Sequence, residues 1–250
     1  MAIPGRLSKP PIKEALVDIR VEQNNAVDSK SFEPIWKTIQ SRYPRLEVRN
    51  RYTGRLTPRA GAAPELEGKD LGFYGLFVRT SDESMVAQFR TDGFTISQLA
   101  NYTTADVLFT EALSLWQIYV AAAKPVSVAR VALRYINELK LPLEHGDSFD
   151  GFLSAAPTMP LGSPQLIAEF LTRTVVPIDP ATGTTAIIAQ RLQPRSDQQE
   201  AVIVIDLDVF RPGKFDLSAE TLAPILQELR LLKDDLFFAL VTDEALEPYR

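Results

Sequence analysis

The sequence predicts an α+β protein. Its fold is expected to be duplicated β-α-β(3-4)-α halves forming one curved antiparallel sheet, with two long helices on one face. Three observations carry this. Strictly alternating segments open both halves, at residues 14–22 and 128–141. Long segments with helical apolar spacing close both halves, at 105–123 and 219–241. The order of elements over 13–124 is then repeated over 127–242, which makes 1–250 a single pseudo-symmetric domain.

Each element has its own signal. Ala15, Val17, Ile19 and Val21 alternate with Glu14, Leu16, Asp18, Arg20 and Glu22, the pattern of a half-buried strand. Ser31 is placed to cap a helix reaching about Arg42, with Phe32, Ile35, Trp36 and Ile39 on one side, stopped by Pro44. Leu46–Tyr52 reads as a strand and the Gly/Pro/Ala-rich 54–72 as a loop. Phe73–Arg79, Met85–Arg90 and Phe94–Leu99 read as strands, the last two joined through Asp92-Gly93. Thr103 or Thr104 caps the helix 105–123, with Val107, Leu108, Leu115 and Tyr119 in its stripe.

In the second half, Val131, Leu133, Tyr135, Asn137 and Leu139 share one face of a long strand. Arg130, Arg134, Glu138 and Lys140 share the other. Ser148 is placed to cap a short helix over 149–154, followed by a loop over 156–164. Leu166–Val176, Thr184–Leu192 and Ala201–Phe210 read as strands. Ser218 caps the last helix, whose stripe is Leu222, Ile225, Leu226, Leu229, Leu232, Leu236 and Leu240.

Composition removes several chemistries. The 250 residues include no Cys, which excludes thiol nucleophiles, iron–sulfur clusters and Cys-based zinc sites. One His excludes a His-rich metal centre within one chain. No G-x-x-x-x-G-K-[ST], G-x-G-x-x-G or G-x-S-x-G occurs, so no cofactor is expected. No apolar run reaches about 18 residues and no signal peptide is visible. The expected place is the cytoplasm, without membrane contact.

Charge is polarised. Residues 1–60 hold 12 Lys+Arg against 6 Asp+Glu, and residues 197–250 hold 5 against 12. These poles suit head-to-tail contacts between copies or a charged protein partner. The basic excess lies in Arg42, Arg45, Arg49, Arg51, Arg55 and Arg59, with Tyr43 and Tyr52 interleaved. Basic plus aromatic suits nucleic acid, and equally a solvated strand whose Arg stems cover apolar surface. The pI of about 5.1 favours the second. Asp206 and Asp208, at i and i+2 on a strand, share one face, where two carboxylates can hold a divalent cation or pair with arginines. His145, with Glu144 and Asp147, reads as a polar turn before a helix; a metal or acid–base site is conceivable there, although adjacent residues on a turn rarely converge. If the opening strands of the two halves are adjacent, Glu14 and Asp18 face Arg130 and Arg134 and pair with them.

Four segments carry a resemblance. They are Lys9-Pro10-Pro11-Ile12-Lys13-Glu14-Ala15, Phe89-Arg90-Thr91-Asp92-Gly93-Phe94, Arg134-Tyr135-Ile136-Asn137, and Phe238 with Thr242-Asp243-Glu244. In this order and spacing the chain resembles a sporadically distributed prokaryotic protein family of similar length. That resemblance implies no established activity. Its patchy distribution implies accessory genes, such as defence or toxin–antitoxin cassettes.

The function expected is a non-enzymatic binding or accessory protein. It recognises a protein partner or small ligand through the sheet face or a cavity beneath the helices. Glu14, Arg134 and Asn137 are the expected contacts. One alternative is a nucleic-acid binder using Arg49 and Arg51 within the 42–59 stretch. Another is a metal-dependent hydrolase using Asp206 and Asp208.

Overall fold

The computed structural model describes residues 1–5, 7–23, 27–57, 65–144, 146–193 and 200–250, with 55–57 and 65–67 by backbone only. The protein is α+β; the described residues form one open antiparallel sheet of nine strands and four α-helices. The strands are β1 (Ile12–Glu22), β2 (Arg45–Thr57), β3 (Glu65–Arg79), β4 (Met85–Arg90) and β5 (Gly93–Gln98), then β6 (Ser127–Leu141), β7 (Leu171–Asp179), β8 (Thr184–Leu192) and β9 (Ala201–Phe215). The helices are α1 (Ser29–Ile39), α2 (Ala105–Ala123), α3 (Ala219–Leu240) and α4 (Asp243–Leu246). Across the sheet the order is β2-β3-β4-β5-β1-β6-β9-β8-β7.

The two opening strands are neighbours at the sheet centre. β1 and β6 pair antiparallel, with Val17 opposite Leu133 and Ile19 opposite Val131. Because side chains alternate, this register sends Ala15, Val17, Ile19, Val131, Leu133 and Tyr135 into one buried cluster with residues of α1, α2 and α3. A second cluster joins Leu139, Leu141, Ile203 and Ile205 to Phe237, Phe238 and Leu246 at the end of α3 and α4. Asp92-Gly93 makes the predicted turn from β4 to β5. Gly93 has φ +152°, and a Cβ there would lie 2.2 Å from the Ile19 carbonyl oxygen, so glycine is required.

Several expectations need correction. The 54–72 stretch is not a loop throughout. β2 runs to Thr57, β3 begins at Glu65, and Leu56 pairs with Leu66. Ladder bonding offsets the low strand preference of Gly54, Gly68 and Gly72. No helix forms over 149–154; the chain makes turns there that bury Phe149, Phe152 and Leu153. Ser148 does accept from the Asp150 N–H at 3.2 Å, but the chain does not continue helically. α1 starts at Ser29, with Asp28 rather than Ser31 as its cap. β7 begins at Leu171, five residues later than the sequence suggested. Val107 points outward from α2, 51% exposed. Among the described residues no helix is long and apolar enough to cross a membrane.

Candidate functional site

The alternation of β6 divides its polar residues between two environments. On the sheet face away from the core, Arg130 and Arg134 enter a carboxylate network. Arg130 donates to Asp18 on β1 at 3.1 Å and to Asp208 on β9 at 3.2 Å. Arg134 grips Asp206 with two donors, one at 2.7 Å. Arg90 on β4 donates to Asp18 at 2.7 Å, and Thr95 on β5 donates to the same oxygen at 2.6 Å. Arg20 links Asp18 to Asp92. Asp18 and Arg90 are only 7% and 4% exposed. Burial pushes the Asp18 carboxyl up, but Arg90, Thr95 and Arg20 outweigh it and hold it below its ordinary value. Asp208 goes the other way: burial raises it more than Arg130 and Arg134 lower it.

Most of the residues singled out by sequence lie on this face. Cross-strand pairing of the two opening strands occurs at Asp18–Arg130. Arg134 takes Asp206 instead, and Glu14, opposite Ile136, acts on it through charge alone. Arg49 pairs with Glu47 at 2.8 Å and lies over the Phe77 ring. Arg51 reaches Asp92 at 3.5 Å and lies over Tyr74. Arg42 pairs with Glu111, and Arg45 with Glu83. Arg59, His145 and the Arg55 side chain lie outside the described residues. Asp206 and Asp208 share a face, and each has a guanidinium on it. No group of three His, Asp or Glu among the described residues is arranged to hold a metal ion. Trp116 is fully buried, its indole N–H on the Leu217 carbonyl at 2.8 Å.

Asn137 alone is on the other face. It is 3% exposed, and its amide donates to the Ile205 carbonyl at 3.2 Å. It lines a cavity of about 610 Å³, large enough for a small organic ligand. One wall is the N-terminal segment, including Pro10, Pro11 and Ile12. The other walls come from the start of α2 and from α3. The N-terminal wall is anchored at several points. Ala2 donates to the Val241 carbonyl at 2.7 Å, Lys9 to the Tyr249 carbonyl at 3.1 Å, and the Pro11 carbonyl accepts from Glu138 at 2.8 Å. The Thr104 cap sets the first turn of α2.

Lys233 of α3 is the unexpected resident. It is 7% exposed, and its ammonium lies 4.0 Å from the centre of the Tyr135 ring and bonds Asp234. The Tyr135 hydroxyl meets that of Tyr102, another lining residue, at 3.0 Å. Burial, the largest influence, moves the Lys233 amine below its ordinary value despite Asp234. Burial likewise pushes the Tyr135 phenol up. Arg230 ties Asp106 at the head of α2 to α3 at 3.2 Å. Lys233 was legible in principle. It stands four residues after Leu229 and four before Phe237, a lysine inside an apolar helical stripe.

Comparison with protein-family models, curated proteins and solved structures gives no match. Of the four sequence segments singled out above, three reach this cavity: Pro10, Pro11 and Ile12 from the first, Asn137 from the third and Phe238 from the fourth. The second segment supplies Arg90 and Asp92 to the ionic network instead.

Proposed function

We propose that the chain is a non-enzymatic binding protein for a small polar ligand, held in the cavity between its N-terminal segment, α2 and α3. The observation that carries this reading is the meeting of Asn137, Tyr102 and the buried Lys233 in a cavity of about 610 Å³. Buried polar side chains beside an apolar wall give a ligand both affinity and orientation. The sheet face supports recognition less well. Arg130 and Arg134, and the described arginines of the 42–59 stretch, already hold carboxylates. That pairing also argues against nucleic acid and against a metal at Asp206 and Asp208.

The same reading treats the halves 13–124 and 127–242 as copies of one unit. In support, β1 and β6 sit side by side at the centre, and each half ends in a long helix whose residues join the same buried cluster. Among the described residues the second copy has no counterpart of α1 and one strand fewer.

The test uses Gly5→Trp. Gly5 lines the cavity, and a Cβ there meets nothing within 4 Å, so tryptophan is accommodated without a clash and is expected to obstruct ligand entry. Thermal unfolding is followed with a library of small metabolites. At least one compound is expected to raise the Tm of the native chain and not that of Gly5→Trp. Compounds that stabilise both proteins equally would place the site elsewhere, and no stabilising compound would end the reading.

A further inference from the structure

The cavity also indicates what kind of molecule enters it. Its described charged lining is Asp106, Asp234 and Asp235 against Arg230 and Lys233. Arg230 bonds Asp106 and Lys233 bonds Asp234, so no cation is left over: one carboxylate is in excess while Lys233 is protonated, and two when it is not. From these described residues a free anion entering this space meets net repulsion. A neutral molecule does not. Lys233 supplies the one primary amine side chain among the described lining residues, with the Asp234 carboxylate beside that amine and the Tyr135 ring beneath it.

We propose that Lys233 captures a small uncharged aldehyde or ketone as a reversible imine in this cavity. The inference rests on the small-ligand reading above. The amine lone pair attacks the carbonyl carbon and forms the C–N bond. A nitrogen proton passes to the carbonyl oxygen, giving a carbinolamine. Loss of that oxygen as water forms the C=N bond, and water reverses the sequence. Asp234 is placed to accept the proton from nitrogen and return it to the departing hydroxyl. Tyr102 and Asn137 offer polar contacts to the rest of the ligand. No oxidant, reductant or metal is needed.

Burial supports the chemistry, because only the unprotonated amine is nucleophilic. Each unit by which an amine lies below its ordinary pKa raises its neutral fraction about tenfold at neutral pH. Lys233 is shifted in this direction, with Asp234 opposing and Arg230 assisting. Lys13 and Lys37, at 60% and 66% side-chain exposure and each paired with a glutamate as Lys233 is with Asp234, provide exposed internal references.

The experiment is brief exposure of the intact, unmodified chain to glycolaldehyde with cyanoborohydride at neutral pH. Cyanoborohydride delivers hydride to the imine carbon and leaves a stable secondary amine. Peptide mass mapping then ranks the lysines by rate. Lys233 is expected to be modified several-fold faster than Lys13 and Lys37. Asp234→Asn is expected to slow Lys233 alone, and Gly5→Trp to protect it. If Lys233 reacts no faster than the exposed lysines, the imine is overturned. In that case a compound that still stabilises the native chain, and not Gly5→Trp, leaves the cavity reading standing. If neither effect is seen, both fall.

Discussion

The two sides of β6 treat charge in opposite ways. On one side Arg130 and Arg134 meet Asp18, Asp208 and Asp206, in a network that reaches three further strands, β1, β9 and, through Arg90, β4. On the other side Asn137 and Lys233 are buried at the edge of a cavity, among aromatic and proline side chains. The first side is closed chemistry, in which cations and carboxylates satisfy each other. The second keeps polar groups beside space that a ligand can occupy. We therefore place the proposed binding site on the face with fewer charges, where polar groups border open space.

The sharpest way to break this contrast is to remove the centre of the network. Asp18→Asn leaves Arg90 buried without its main partner and is expected to cost about 3–5 kcal/mol in chemical denaturation. Its pH signature follows from the direction of the shift. The Asp18 carboxyl is held below 3.8, so its stabilisation is complete above about that pH and is lost as the pH falls through the folded-state value. The variant is expected to lose that acid-side decline. A loss below 1 kcal/mol would deny the network its structural role.

Asn137→Ala is expected to cost about 1–3 kcal/mol by removing a buried donor to the Ile205 carbonyl. It should also weaken any compound that stabilises the native chain, whereas Asp18→Asn should leave such affinity unchanged where the protein is folded. Lys233→Met tests the cavity by pH. A buried amine shifted below 10.5 binds a proton in the unfolded chain but not in the folded one over the interval between the two values. Stability therefore rises with pH across that interval, by at most about 1.4 kcal/mol per pH unit. Urea denaturation at several alkaline pH values should show this rise in the native chain and not in Lys233→Met. The smallest effect belongs to Arg49→Ala, an exposed residue paired with exposed Glu47. Its Tm should stay within the scatter of replicate scans.

Much of the central sheet was legible because alternation is local. The faces of β1 and β6 follow directly from residue order, and so does the placing of Asn137 opposite Arg134. The inner parts of β2 and β3 were legible as strands, but their outer parts, 53–57 and 65–72, were not, because Gly54, Gly68 and Gly72 disfavour strand locally while the ladder there is formed between the arms, Thr53 with Lys69 and Gly54 with Gly68. The Ser148 cap was real as hydrogen bonding but misleading as a helix, since burial of Phe149, Phe152 and Leu153 favours turns there. At the site, sequence pointed to Asn137 and to the arginines and aspartates. It passed over Lys233, whose signal was its position within an apolar stripe. It also could not show that Pro10, Pro11 and Phe238, far apart in sequence, close around the same space.

The most direct test of the central claim is a map of where a stabilising compound acts. Two-dimensional NMR of the native chain, titrated with a compound that raises its Tm, reports this residue by residue. Shifts are predicted at the Asn137 side-chain amide and the backbone of Tyr102 and Lys233, with Arg134, Asp206 and Leu171 unmoved. Shifts confined to Arg134, Asp206 and Leu171, which line a smaller cavity of about 290 Å³ on the opposite face, would contradict it.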